Sequence, residues 1–304
     1  MSASEPLLQL LHELKARGYA FVAVTPATHA WVLSRRSPER RTLRDIFGWN
    51  MPFARHDLDL VLLDLLQGAD AVEKRGEALR SRVRVASLEG TLFLHSSFPT
   101  DDESSVFFGP DTYRFVQFVA AQLRELPRPE WIVDMGAGSG AGGILAARDS
   151  GAQRVTLVDV NPAALRLARI NAAAAGIEVE VVQSPQMPVG ADLVIANPPY
   201  MMDSAGRAYR DGGALLGGAV ALDWIEQALE RVPRGGTMLL YTGAAVVDGE
   251  APLVRAIERI CEAAGASAEI HEIDPDVFGD ELAQPAYRDV ERIAAIGAVI
   301  RRGA

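Results

Sequence analysis

The pattern of apolar and polar positions changes character once along the chain. In PLLQLLHELKARG (6–18) leucines stand at positions 7, 8, 10, 11 and 14. That spacing, closed by Gly18, predicts an amphipathic helix. LDLVLLDLLQG (58–68) repeats the pattern. RVRVASLEGTLFLHSSF (82–98) instead alternates about Glu89-Gly90, which predicts a β-hairpin. Helices followed by a hairpin make residues 1–105 read as a smaller helical domain, compatible with a winged-helix-like module. FPTDDESS (98–105) is polar and turn-rich and predicts the linker.

From residue 106 onward short apolar strands alternate with helices. WIVDM, RVTLVDV, VEVVQS, ADLVIAN and GGTMLLYTG read as strands. AGGILAARDSG and NPAALRLARINAAAAG read as helices, the second with Asn161 as N-cap, Pro162 at its first position and Gly176 as its stop. Continuous Val/Ile/Leu strands between helices predict a parallel sheet covered on both faces, hence an α/β domain over residues 106–304. SAEIHEI and RIAAIGAVI supply a final, antiparallel pair, separated by a long insertion, DPDVFGDELAQPAYRD. VFFGPDTYRFVQFV (106–119) predicts an amphipathic helix with Phe115 and Phe118 in the core.

Composition narrows the function classes. Of 304 residues, 49% are hydrophobic and 23% charged, as in a soluble globular protein. The single cysteine, Cys261, excludes an intrachain disulfide and suits a cytoplasmic location. No segment approaches the roughly 18–20 apolar residues of a membrane span, and the N-terminal residues read as a helix entry rather than a signal peptide. The five histidines show no metal-ligand spacing, so no metal is expected. A net charge of −10 argues against whole-surface binding of nucleic acid. One local exception is SRRSPERRTLR, which holds Arg35, Arg36, Arg40, Arg41 and Arg44. It is either a solvated surface or a phosphate-facing patch.

The chemistry concentrates at strand ends. Asp134-Met-Gly136-Ala137-Gly138-Ser-Gly140 follows the first strand of the α/β part and opens a helix. Glycines there permit a tight turn and close approach of a ligand to backbone. The next strand ends in Asp159, placed to accept both ribose hydroxyls of an adenosine. Together they predict a nucleoside-binding site. A dinucleotide oxidoreductase would use Gly136, Gly138 and Ala141 as its fingerprint and hold pyrophosphate. Asp134 would oppose pyrophosphate but attract a cationic amino acid, which favours S-adenosylmethionine. A further strand ends in Asn197-Pro198-Pro199-Tyr200, where two prolines stop the ladder and an amide and an aromatic ring remain.

VDMGAGSG, LVDVNPAAL and DLVIANPPY, in that order, resemble the class I S-adenosylmethionine-dependent methyltransferases of the NPPY type, including the protein N5-glutamine methyltransferases and the methyltransferase small-domain family. The resemblance covers residues 106–245. It implies a Rossmann-like domain with a mostly parallel seven-stranded sheet. It implies transfer of a methyl group to a planar nitrogen. The acceptor expected is a glutamine side-chain amide of a release factor or ribosomal protein. The alternative is an exocyclic amine of adenine or guanine in rRNA or tRNA, and a non-catalytic nucleoside-binding module stands in a different class. The implied acceptor site is Asn197, Pro198, Pro199 and Tyr200, with the Asn197 side-chain oxygen and Pro198 carbonyl accepting N–H bonds and Tyr200 stacking on the flat acceptor. The implied cofactor residues are Asp134, Gly136, Ala137, Gly138, Gly140, Asp159, Val160, Asn161 and Asn197, with Thr112 from a Pro-Asp-Thr loop. Where the family carries an adenine-binding acid, this chain has Gln183-Ser184-Pro185-Gln186, so Ser184 and Gln186 are the candidates; Tyr113 likewise replaces a glutamate. Tyr209-Arg210-Asp211-Gly212-Gly213 is a candidate lip of the substrate pocket or a plain connection.

Overall fold

A computed structural model describes residues 4–37, 39–100, 102–202 and 210–303. In chain order the helices are α1 (Ser4–Ala16), α2 (Pro26–Arg35), α3 (Leu60–Gly68), α4 (Pro110–Leu123), α5 (Ala141–Ser150), α6 (Pro162–Ala175), α7 (Ala219–Arg231) and α8 (Pro252–Ala263). The strands are β1 (Val72–Arg75), β2 (Ala78–Ser81), β3 (Val83–Leu88), β4 (Thr91–Ser96), β5 (Trp131–Met135), β6 (Arg154–Asp159), β7 (Glu180–Gln183), β8 (Leu193–Ala196), β9 (Thr237–Val246), β10 (Ser267–Asp274) and β11 (Arg292–Arg301). They form two compact units. The first takes in the described residues up to Tyr113 together with Gly138–Ala141 and Pro162–Glu178; the second holds Arg114–Ala137, Gly142–Asn161 and the described residues from Val179 on.

In the first unit Leu7, Leu10, Leu11 and Leu14 bury one face of α1, and Gly18 ends it with a positive φ of 67°. Thr25 caps α2, with Pro26 at its first position, and the Asp59 carboxylate caps α3 by accepting the Leu62 N–H. The predicted hairpin is β3–β4, and Glu89 and Gly90 both carry the positive φ that a two-residue turn of this twist demands. A second hairpin, β1–β2, precedes it. Helix α6 belongs to this unit: Ala164, Leu167 and Ile170 share a core with the leucines of α1 and α3. Its buried Asn171 accepts the Leu94 N–H at 2.8 Å and donates to the carbonyls of Leu94 (3.1 Å) and Ser139 (2.9 Å), so an amide inside an apolar helix has its capacity filled.

The second unit is built on a seven-stranded sheet in the order β10-β11-β9-β8-β5-β6-β7. Strands β9, β8, β5, β6 and β7 run parallel, and β11 pairs antiparallel with β9 and with β10, as the tail sequence predicts. All four residues of β8 and all ten of β9 are buried, which explains their unbroken apolar runs. Phe115 and Phe118 of α4 lie in the core with Ile132, Ile195 and Tyr241. Among the described residues no helix is long and apolar enough to cross a membrane, and no group of three or more potential ligands could hold a metal.

Candidate functional site

The chain passes β5, β6 and β7 outward, then returns to lay β8 on the other side of β5. Such a reversal leaves a crevice at the carboxyl ends of the two central strands, where ligands of open α/β sheets bind. The register pairs Met135 with Ala196 on one side and with Val158 on the other, so β8, β5 and β6 end level. Asn197, Gly136 and Asp159 therefore share one edge of the sheet.

The β5 end carries Asp134, 2% exposed. Its Oδ2 accepts the Gly143 N–H at 2.7 Å. Burial pushes its carboxyl up to about 7; the Gly143 bond pulls the other way, and the neighbouring Asp159 charge adds to the rise. Beyond it the Gly136 and Ala137 N–H groups both donate to the Val158 carbonyl, and Gly136, Gly138 and Gly140 all have positive φ (71°, 53° and 79°). A side chain at any of the three would be strained, so the turn exposes backbone where a ligand can approach. Asp159 is half-buried, and its Oδ1 accepts the Asn161 N–H at 2.8 Å; Val160 beside it is 49% exposed. This strand end therefore sets a carboxylate beside an exposed apolar surface. Ser184 and Gln186 form a closed local turn, with the Ser184 hydroxyl donating to the Gln186 carbonyl and accepting its N–H. Thr112, in the first unit, has its hydroxyl engaged by the Gly109 N–H. Tyr113, at the departure from the glutamate, accepts the Ala23 N–H at 2.8 Å and packs edge-on to Phe108.

The β8 end is different. The ladder stops at Ala196, because Pro198 and Pro199 donate nothing. The Asn197 side-chain oxygen is buried and has no hydrogen-bond partner among the described residues. An unsatisfied buried acceptor costs about 1–3 kcal/mol and calls for an explanation. Tyr200 is 8% exposed. Its ring lies against Gly243 of β9, where a Cβ would come within 2.3 Å of it, and it meets the Phe278 ring edge-on at 6.0 Å. The next residues are clasped by backbone: Met201 donates to the Arg210 carbonyl at 3.0 Å and accepts the Gly212 N–H at 2.8 Å. Gly217, with φ 93°, passes so close that a Cβ would sit 2.2 Å from the Tyr200 carbonyl. The segment 210–213 is thus a fitted strap and not a loose connection; Tyr209 lies outside the described residues.

Sequence reasoning left the insertion between β10 and β11 without a role. It turns through two short helices, Gly279–Ala283 and Pro285–Tyr287, and it supplies Phe278, Glu281 and Tyr287 to the region just described. The arginine cluster resolves into individuals: Arg36 pairs with the buried Asp45, Arg41 donates to the Pro52 carbonyl, Arg44 to the Ala20 carbonyl, and Arg35 lies over the exposed Trp31 ring.

Residues 116–248 match the methyltransferase small domain. A release factor glutamine methyltransferase of Deinococcus radiodurans is 27% identical over 219 residues, covering 70% of this chain and 76% of that one. A ribosomal protein L11 methyltransferase of Geobacter sulfurreducens is 38% identical over 92 residues, 30% of each chain. Other release factor glutamine methyltransferases are matched over 36% and 55% of their own length. Among solved structures, Trm5b of Pyrococcus abyssi shares the fold, with a TM-score of 0.51 at 17% identity over 82% of this chain and 68% of that one. Sheet order and sequence kinship agree: the chain is an S-adenosylmethionine-dependent methyltransferase that resembles the protein N5-glutamine methyltransferases.

Proposed function

We propose that the enzyme methylates the side-chain amide nitrogen of a glutamine in a protein of the translation machinery, a release factor or a ribosomal protein. The observation that carries this reading is the buried, unpartnered Asn197 oxygen at the end of β8. Bound S-adenosylmethionine supplies an electrophilic methyl group on a cationic sulfur. Asp159 would accept the ribose hydroxyls, with Val160 and Asn161 beside it. The turn of Gly136, Ala137, Gly138 and Gly140 would take the methionine part, with Asp134 the anion for its ammonium. Ser184 and Gln186 would flank the adenine, and Thr112 is the residue that the Pro-Asp-Thr resemblance adds to this set.

An amide nitrogen is a poor nucleophile because its lone pair is delocalised. It needs orientation and a place for growing positive charge more than it needs a strong base. The Asn197 oxygen and the Pro198 carbonyl accept its two N–H bonds, aim the lone pair and stabilise the charge that develops. Pro198 and Pro199 keep these acceptors rigid.

Two observations favour the amide over a nucleobase. A stacked purine needs an open aromatic face, whereas the Tyr200 ring is covered by Gly243 and Phe278. Tyr200 then serves as the wall beside the acceptor rather than as a broad platform. The sequence relatives described above are named for release factors or for a ribosomal protein. Residues 1–105 act in substrate recognition in this reading, and residues 106–304 carry catalysis in the cytoplasm. The test is tritiated methyl transfer into cell extract followed by digestion. Label released by protease and resistant to RNase is expected; label released by RNase alone would transfer the reading to an exocyclic amine.

A further inference from the structure

The Tyr287 hydroxyl uses both of its hydrogen-bonding capacities on one short stretch of chain. It accepts the Met202 N–H at 2.7 Å and donates to the Met201 sulfur at 3.7 Å. The ring is 1% exposed. Met201 and Met202 directly follow Asn197–Tyr200, beyond the end of the β8 ladder, where Met201 keeps one isolated bridge to Asp211. The same insertion reaches this segment twice more. Phe278, held at a positive φ of 57°, sets its ring edge-on to Tyr200, and Glu281 pairs with Arg210, whose carbonyl receives the Met201 N–H. The insertion is itself pinned to the sheet, because Val277 donates to the Ile293 carbonyl of β11 at 2.7 Å.

Prolines fix the backbone angles of 198 and 199 but donate no hydrogen bond that would anchor them. Rigidity of the two acceptors therefore depends on what grips the chain immediately downstream. We propose that Tyr287 is a positioning residue for methyl transfer: its hydroxyl fixes the chain after Asn197–Tyr200, and Glu281 reinforces the grip through Arg210. This inference rests on the reading of Asn197–Tyr200 as the acceptor site. Tyr287 touches no substrate in this account. It acts through the placement of the Asn197 oxygen and the Pro198 carbonyl, and small errors of placement slow a transfer reaction steeply.

Tyr287→Phe keeps the ring and removes only the hydroxyl. The experiment follows transfer from S-adenosylmethionine to a bacterial peptide release factor, with active sites counted by S-adenosylhomocysteine binding. The single-turnover rate per active site is expected to fall about tenfold, with the KM for the release factor and the affinity for S-adenosylhomocysteine within about twofold of the parent, the pattern of a lost orientation effect. Amide hydrogen exchange at Met202 should accelerate in the same variant. Glu281→Gln, a change nearer the surface, should lower the rate about threefold by the same route. Wild-type rates in both variants would overturn the proposal, as would a slowed rate with unchanged exchange at Met202. Asn197→Ala is run in parallel to separate the two failures. If Asn197→Ala slows transfer while the other two variants do not, only the positioning role falls. If Asn197→Ala transfers at the wild-type rate, the acceptor-site reading beneath it falls too.

Discussion

At the end of β8 a polar oxygen is buried and has no partner among the described residues, whereas the described charged groups of 35–44 are largely exposed and several already hold partners. Arg36 lies against the buried Asp45 carboxylate, which also accepts the Thr42 N–H and hydroxyl and is held below the usual carboxylate range by those bonds, against the opposing effect of burial. Arg41 and Arg44 tie two backbone carbonyls. These arginines tie their segment to neighbouring stretches of the first unit, and a ligand would have to share them. The Asn197 oxygen has nothing to share. A buried acceptor without a donor is a cost that a substrate N–H removes, while an exposed arginine with a partner is already satisfied. A site is read more safely from unfilled capacity than from density of charge.

That contrast breaks most visibly at Asn197. Asn197→Ala should slow single-turnover methyl transfer by on the order of 10²-fold, the size seen when one preorganised polar partner is deleted, and leave S-adenosylhomocysteine affinity nearly unchanged. Asn197→Asp, which keeps an acceptor oxygen, should retain part of the rate. Calorimetry sharpens the cofactor side. Wild-type protein should bind S-adenosylhomocysteine with a Kd of about 1 µM, and NAD should not compete; Asp159→Ala should weaken binding by more than about tenfold through loss of a charged acceptor.

A pH titration follows in size. With the Asp134 carboxyl pushed up to about 7 by burial, a cationic ammonium binds best to its ionised form. Affinity for S-adenosylhomocysteine should fall on acidification through about pH 7, by up to about tenfold per pH unit, and Asp134→Asn should flatten the profile. The linked stability runs the other way. The raised value stabilises the cofactor-free fold fully below the ordinary 3.8, and that contribution is lost as pH rises through about 7. The smallest effects belong to the arginines. Arg36→Ala should lower the thermal midpoint by about 2–4 °C, the shift that roughly 1 kcal/mol produces, because it strips a partner from Asp45. Charge reversal at Arg35 and Arg40 should change substrate use only a few-fold, and chiefly at low salt; no change at any salt would make that face plain solvated surface.

Much of the fold was legible because its signals are local. The glycine turn, the acid ending β6 and the prolines ending β8 each mark a strand end in the sequence itself, and register then sets them side by side. The hairpin β3–β4 announced itself by alternation, but β1–β2 did not: VEKR and ALRS are four residues each and mix charge with apolar positions, leaving no period to detect. The π-helical turn at Arg44–Gly48 carries no distinctive period either. Periodicity placed α6 in the α/β part, yet its Asn171 and its apolar face join the unit of the N-terminal helices, a tertiary choice that no local pattern reveals. Tyr287 was illegible as a functional residue for the same reason. Its partners, Met201 and Met202, stand more than eighty positions earlier in the chain.

The central claim is that the unfilled Asn197 oxygen receives the N–H of a protein glutamine. Tandem mass spectrometry of a bacterial peptide release factor, incubated with S-adenosylmethionine and either the wild-type enzyme or Asn197→Ala, tests it most directly. The account predicts one methyl group on a glutamine side-chain nitrogen with the wild type and its near absence with the variant over the same time. Equal methylation by both proteins, or no methylated glutamine from a wild-type enzyme that binds the cofactor and labels RNA, would contradict it.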